Sequence, residues 1–280
     1  MRYGSGVLLG NWREDDALDE MRMMDYIESK EAGSLTLLKK QTKLAPQLVP
    51  VKLTEPPADG MLHFGDCVLL QSMCNEGTLA VSLGQRLYQA DNPEADAMYA
   101  TYSCPIKGSF SRNSIKFVSY DGAGAPGAPV LYGQKVCIEF SSELGVRGYL
   151  GSMRSGRVQL ATQLINKQEI FMQAISREKP PYDCAWEVLP ENVDDRIISQ
   201  GTPVIAGAPL VLTHCFTNKR LAGVHVPLAT DFGQEFGVCA HTYTETGKVN
   251  KLMRESKGRP TNNLISRSET TENLWSILYA

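Results

Sequence analysis

Short runs of alternating apolar and polar residues recur three times along the chain, and each opens on a glycine. Gly65-Asp66 leads into Val68 and Leu70, Gly133-Gln134 into Val136 and Ile138, and Gly207-Ala208 into Leu210 and Leu212. A polar turn follows each run. A second strand then begins on a leucine with a small neighbour: Leu79-Ala80, Leu150-Gly151 and Leu221-Ala222. Alternation at period two puts one side of each strand in a core and the other toward solvent. A second landmark ends each unit, with large apolar residues two positions apart: Ile115 and Phe117, Trp186 and Val188, Trp275 and Ile277. Three β units of this kind cannot bury their apolar faces singly and must close on one another. The pattern predicts a mainly β, three-fold barrel with repeats over about residues 61–120, 130–190 and 203–280.

The flanking segments follow other rules. Residues 1–60 read as an N-terminal arm, a helix and a proline-containing linker, ahead of a β domain over 61–280. Asn11 has the character of an N-cap with Glu14 in capping-box position, and a helix is expected from about Trp12 to Lys30 with Gly33 ending it. Ala17, Met21 and Met24 would share one face, flanked by Leu18 and Ile27. Such a helix either packs on the domain with a solvated outer face or docks on a partner. Prolines 46, 50, 56 and 57 predict an extended linker from Leu44 to Gly60. Asp91–Ala100 interrupts the first unit's strands, and Asp121–Pro129 is a turn between units one and two. The alternation is imperfect from Val158 to Ile175, and Glu191–Gly201 is an acidic connector. Unit three carries a polar insertion over 244–272 that is expected to project from the barrel.

Composition narrows function mainly by exclusion. A hydrophobic content of 42% supports a sizeable core, while a net charge of −3 predicts no general attraction to nucleic acid or membrane. No apolar run is long enough to span a bilayer and Met1–Gly6 opens no signal-peptide core, so a soluble, unsecreted chain is expected. The seven cysteines are odd in number and scattered, which suits core positions in a reducing compartment better than a disulfide framework.

No catalytic group emerges. His214 and Cys215 are adjacent, so on a strand they point to opposite faces, and no second pair completes a metal tetrahedron. The glycines at 4, 6 and 10 lack the strand and spacing of a dinucleotide fingerprint, and Gly122–Pro129 lacks the Gly-Lys-Ser/Thr of a phosphate loop. Trp186 and Trp275 stand at equivalent positions and are expected to fill the core rather than stack on sugars. No cofactor or metal is expected.

Several motifs together resemble the cilia- and flagella-associated protein 161 family. They are Tyr3-Gly4-x-Gly6-Val7-x-x-Gly10-Asn11-Trp12-x-Glu14-Asp15, His63-Phe64-Gly65-Asp66, Arg112-Asn113, Tyr132-Gly133-Gln134, His214-Cys215-x-Thr217-Asn218-x-x-Leu221-Ala222 and Ala240-His241-Thr242-Tyr243. The repeats are also similar to MIR modules, which implies a β-trefoil. The resemblance implies a non-enzymatic microtubule inner protein in the axoneme of cilia and flagella. It would bind α/β-tubulin and other inner proteins in the A-tubule lumen of the doublets, with no nucleic acid or membrane partner. The expected interaction residues are Tyr3, Trp12 and Arg13 in the arm, Thr217, Asn218 and Arg220 at the strand turn, and Lys248, Lys251 and Arg254 in the insertion. For that turn there is a local alternative, in which Asn218 satisfies its own backbone. The rival function is a trefoil module that binds a sugar or phosphorylated ligand through Arg147, Arg154 and Arg157.

Overall fold

The computed structural model describes residues 12–88, 97–122, 124–153, 164, 167–175, 179–244, 256 and 269–280. Among these are two helices, α1 (Trp12–Glu31) and α2 (Thr36–Leu44), followed by twelve strands. Unit one contributes β1 (Cys67–Ser72), β2 (Thr78–Tyr88), β3 (Met98–Cys104) and β4 (Ser114–Ser119). Unit two contributes β5 (Lys135–Phe140), β6 (Gly148–Ser152), β7 (Gln168–Ala174) and β8 (Trp186–Pro190). Unit three contributes β9 (Leu210–His214), β10 (Leu221–Thr230), β11 (Gly233–Ala240) and β12 (Trp275–Leu278).

The first and last strands of the units close a six-stranded ring through antiparallel pairs that match the residues singled out by periodicity. Val68 faces Ile115, Phe117 faces Ile138, Val136 faces Trp186, Val188 faces Leu212, Leu210 faces Trp275, and Leu70 faces Ile277. All of these side chains are essentially inaccessible to solvent and belong to one core. The middle strands form three hairpins, β2 with β3, β6 with β7, and β10 with β11. Their second strands pair with one another in a triangle, β3 with β7, β7 with β11 and β11 with β3. A closed barrel capped by three hairpins is a β-trefoil: the repeats predict the three-fold barrel, and the resemblance to MIR modules implies the trefoil.

The three-fold relation reaches single hydrogen bonds. Leu62 N–H donates to Val204 O (2.9 Å), Val204 N–H to Val130 O (2.8 Å) and Val130 N–H to Leu62 O (2.8 Å), a closed cycle of fully buried residues. The opening glycines Gly65, Gly133 and Gly207 all take positive φ (93°, 80° and 75°), a conformation that disfavours side chains with a Cβ. Both core tryptophans satisfy their indole N–H on the repeated leucine of their unit's second strand: Trp186 Nε1 on Leu150 O (2.8 Å) and Trp275 Nε1 on Leu221 O (3.1 Å). In unit one the place is taken by Ile115, which has nothing to donate. The tryptophans are therefore core fillers with a fixed polar handle.

Some expectations need correction. The compact β body runs from Pro46 to Ala280, so most of the segment expected as a linker, Leu44 to Gly60, lies inside it. A short 3-10 turn, Ala45–Leu48, stands where extended chain was expected. Pro46 O accepts from Ser111 Oγ (2.6 Å), Gln47 Oε1 from Leu83 N–H (2.9 Å), and Val51 N–H donates to Ser109 O (3.1 Å), which ties the segment to unit one. The interruption expected over Asp91–Ala100 is shorter, because β3 begins at Met98; residues 89–96 lie outside the described residues. Much of Val158–Ile175 also lies outside them, but its end is the regular strand β7.

The other compact unit, Met1–Ala45, holds the two helices. Helix α1 spans the predicted range and ends as expected, with Gly33 at φ 63°. It lacks the expected apolar face. From Glu14 onward all its residues except half-buried Ser29 are exposed, including Leu18, Met21, Met24 and Ile27. Acidic side chains are distributed around the whole circumference, so no continuous apolar stripe forms. Helix α2 was not foreseen and buries no residue.

Candidate partner-binding surfaces

The turn from His214 to Leu221 is built inward rather than outward. Asn218 adopts a left-handed conformation (φ 52°), and its N–H donates to His214 O (2.8 Å) while His214 N–H donates to Lys219 O (2.8 Å). The His214 ring is fully buried, with Nε2 2.8 Å from Asp183 O and Nδ1 2.8 Å from Thr217 Oγ1. A carbonyl only accepts, so Nε2 carries the proton and Nδ1 accepts from the Thr217 hydroxyl. Thr217 Oγ1 in turn accepts from Gln168 Nε2 (3.0 Å). Burial pushes the imidazole below its ordinary value, partly opposed by the Asp183 carbonyl. The neighbouring Cys215 thiol is pushed up to about 11, chiefly by burial, so it is not a thiolate nucleophile at neutral pH.

Arg220 is likewise engaged. Its Nε donates to Glu269 Oε1 (3.1 Å) and its Nη1 to Thr213 Oγ1 (2.7 Å) and Asn218 Oδ1 (3.3 Å). Arg196 grips the same carboxylate with both outer nitrogens, Nη1 to Oε1 (3.0 Å) and Nη2 to Oε2 (2.7 Å). Only 3% of the Glu269 side chain is exposed. Burial alone would raise this carboxyl, but the two guanidiniums outweigh it and hold the group below the ordinary carboxylate value. Three segments meet here: the acidic connector through Arg196, the repeat turn through Arg220, and the foot of the insertion through Glu269. The foot is closed by a bridge between Thr244 and Glu269, and by Asn273 Oδ1 accepting from Tyr243 N–H (2.7 Å).

Thr217, Asn218 and Arg220 therefore spend their polar groups within the fold, in line with the local alternative for this turn. Tyr3, Lys248, Lys251 and Arg254 lie outside the described residues, and Trp12 and Arg13 start α1 with their side chains undescribed. Arg154 and Arg157 also lie outside, and Arg147 Nε is committed to Glu139 Oε1 (2.8 Å).

Three features escaped the sequence. A buried ion pair links Arg112 and Glu235, Nη2 to Oε2 at 3.0 Å and Nη1 to Oε1 at 2.9 Å, both side chains being 1% exposed. Arg112 also donates through Nε to Val81 O (3.0 Å), and Phe232 stacks 3.6 Å from its guanidinium. An aromatic group at the surface joins Tyr120, Tyr182 and Phe216 edge to face (centroids 5.8 and 6.3 Å), with Lys179 over Tyr120 and Lys135 over Tyr182. The connector, finally, displays Ile197 and Ile198 with 86% and 80% of their surface exposed. Only the third had a cue in the sequence, two isoleucines inside an acidic, turn-like stretch. Among the described residues no three His, Cys, Asp or Glu side chains are grouped so as to hold a metal ion.

A family model described as the cilia- and flagella-associated protein 161-like domain matches residues 144–253. Cilia- and flagella-associated protein 161 of Mus musculus is 31% identical over 265 residues, covering 89% of this chain and 85% of that protein. The Danio rerio protein of the same name is 28% identical over 88% of this chain and 84% of its own. Among solved structures, the SDF2-like protein from Arabidopsis thaliana aligns with a TM-score of 0.53 at 13% identity, over 78% of this chain and 94% of that one. A Caenorhabditis elegans protein of unknown function aligns at 0.54 and 11% identity, over 79% and 98%. At such identities these two structures speak for the trefoil fold alone.

Proposed function

This chain belongs to the cilia- and flagella-associated protein 161 family, and from that premise we propose that it is a non-enzymatic structural brace bound to α/β-tubulin and neighbouring inner proteins in the A-tubule lumen of axonemal doublets. The observation that carries the proposal is the fate of its polar groups. His214, Thr217, Arg196, Arg220, Glu269, Arg112 and Glu235 are consumed by one another and by backbone inside the barrel and its rim. A body whose described buried polar side chains are spent on one another and stiffen it is suited to bearing on neighbours rather than to turning over a substrate. Its cysteines agree: burial pushes Cys104, Cys137, Cys215 and Cys239 to about 11, 12, 11 and 11, far from thiolate character at neutral pH. No helix among the described residues is long and apolar enough to cross a membrane.

In a repeating lattice such a brace binds through several modest contacts, each raising the effective concentration of the next. The polar insertion, pinched at its foot by the Glu269 clamp, is one such contact, and the helical arm is another. Sequential extraction of cilia tests the proposal. Detergent is expected to leave the chain with the doublets, and high salt to leave most of it there, cross-linkable to tubulin. Release with the membrane and matrix fraction would refute it.

A further inference from the structure

The connector between units two and three is an ordered turn that carries two bare isoleucines. Asn192 Nδ2 donates to Asp195 Oδ2 (2.8 Å), its Oδ1 accepts from Asp194 N–H (3.3 Å), and Ser199 N–H donates to Asp195 O (2.8 Å), which winds one helical turn. Gly201 N–H is fixed to Tyr132 O (2.9 Å) at one end, and Arg196 Nε to Pro190 O (3.3 Å) at the other. The bidentate Arg196–Glu269 pair then anchors the middle of the turn to the barrel rim. Ile197 and Ile198 follow directly and are the most exposed large apolar side chains of the described β body. Scattered single apolar residues on a surface mean little, but two adjacent ones on an immobilised turn form a pre-organised anchor of the kind that dominates interfaces.

The surrounding charge selects the occupant. Glu191, Asp194 and Asp195 are exposed carboxylates of the same connector, and its one cation between 191 and 201, Arg196, is only 14% exposed and is bound to the Glu269 that it shares with Arg220. An acidic rim repels an anionic lipid surface. A two-fold contact with a second copy would set the same carboxylates against each other. We propose that Ile197 and Ile198 are a docking knob for a different protein of the doublet, one that offers an apolar socket rimmed by lysine or arginine. Glu269 acts as a positioning residue, since it holds the knob through Arg196. The proposal rests on the brace reading and gives it a specific contact.

The test uses the full chain, expressed in ciliated cells that lack the endogenous protein, with retention on doublets read after detergent and stepped salt. The I197S/I198S variant should keep the wild-type melting temperature, because both side chains are exposed, and yet lower the bound-to-free ratio at least about tenfold. Asp194→Lys with Asp195→Lys should weaken retention at low salt and matter less at high salt, where rim charges are screened. Glu269→Gln should weaken retention less than the isoleucine pair while lowering the melting temperature. Wild-type retention by I197S/I198S would overturn the knob, as would a purified wild-type dimer that this variant dissolves. If the wild-type chain itself leaves with the matrix fraction, the brace reading falls and the knob with it.

Discussion

Ile115, Trp186 and Trp275 occupy one place in three units, and all are sealed in one core. The residue just before the repeated leucine (Leu79, Leu150, Leu221) of each unit behaves differently. It is Thr78 in unit one, bonded to Cys104 O and Asn113; Tyr149 in unit two, buried in a side cluster; and Arg220 in unit three, clamped on Glu269. The core repeats because the barrel closes only if all three units offer the same apolar shape, whereas the rim needs only to satisfy its own polar atoms. Individuality is therefore written on the rim.

The sharpest way to break this contrast is to empty a repeated position. Trp275→Ala should cost about 3–5 kcal/mol by loss of burial and creation of a cavity, and Trp186→Ala about the same, as measured by denaturant unfolding. A much larger difference between the two would mean that the units are not equivalent in the core. The buried pair belongs to the rim class but reaches comparable size. Glu235→Leu strands the Arg112 charge and should cost about 3–5 kcal/mol, while Arg112→Met with Glu235→Leu should recover most of it. Failure of the double variant to recover would show that Arg112 matters chiefly through Val81 O and Phe232.

Smaller effects separate the rim's electrostatics by pH. His214 has a depressed folded-state value, so below the ordinary imidazole value the unfolded chain binds more protons than the folded one. Stability should be fully present above about pH 6.5 and fall as pH drops below it; His214→Asn should flatten that window. Glu269 is also depressed, so its contribution is present above the ordinary carboxylate value and is lost as pH falls through the lower folded-state value. Glu269→Gln should cost about 1–3 kcal/mol at neutral pH and remove that acid-side component. Least of all should follow from Met21→Ser or Met24→Ser in α1, within about 0.5 kcal/mol, because these side chains are already in water.

What could be read in advance follows the same division. Strands β1, β4, β5, β8 and β12 show mixed burial along their length, so their edges and inward residues were legible. Strand β3 is buried at every position from Met98 to Cys104 because both its faces are covered, Tyr99 in the main core and Met98, Ala100 and Tyr102 in a second cluster, so no alternation survived to mark its start. The turn residues Thr217 and Asn218 were visible as a motif, but whether they faced a partner or the fold was not. That depended on Asp183 and Gln168 arriving from unit two.

The sequence by itself determined three apolar repeats, their opening glycines, the tryptophans as filling, and the extent of α1. These depend on spacing within a strand or helix, which periodicity records directly. Only the tertiary structure decided that Arg112 meets Glu235, that Arg196 and Arg220 share Glu269, and that Ile197 and Ile198 are held out in solvent. Those outcomes join groups far apart in the chain, and a charged or apolar side chain carries no local mark of which distant partner, if any, barrel closure will bring to it.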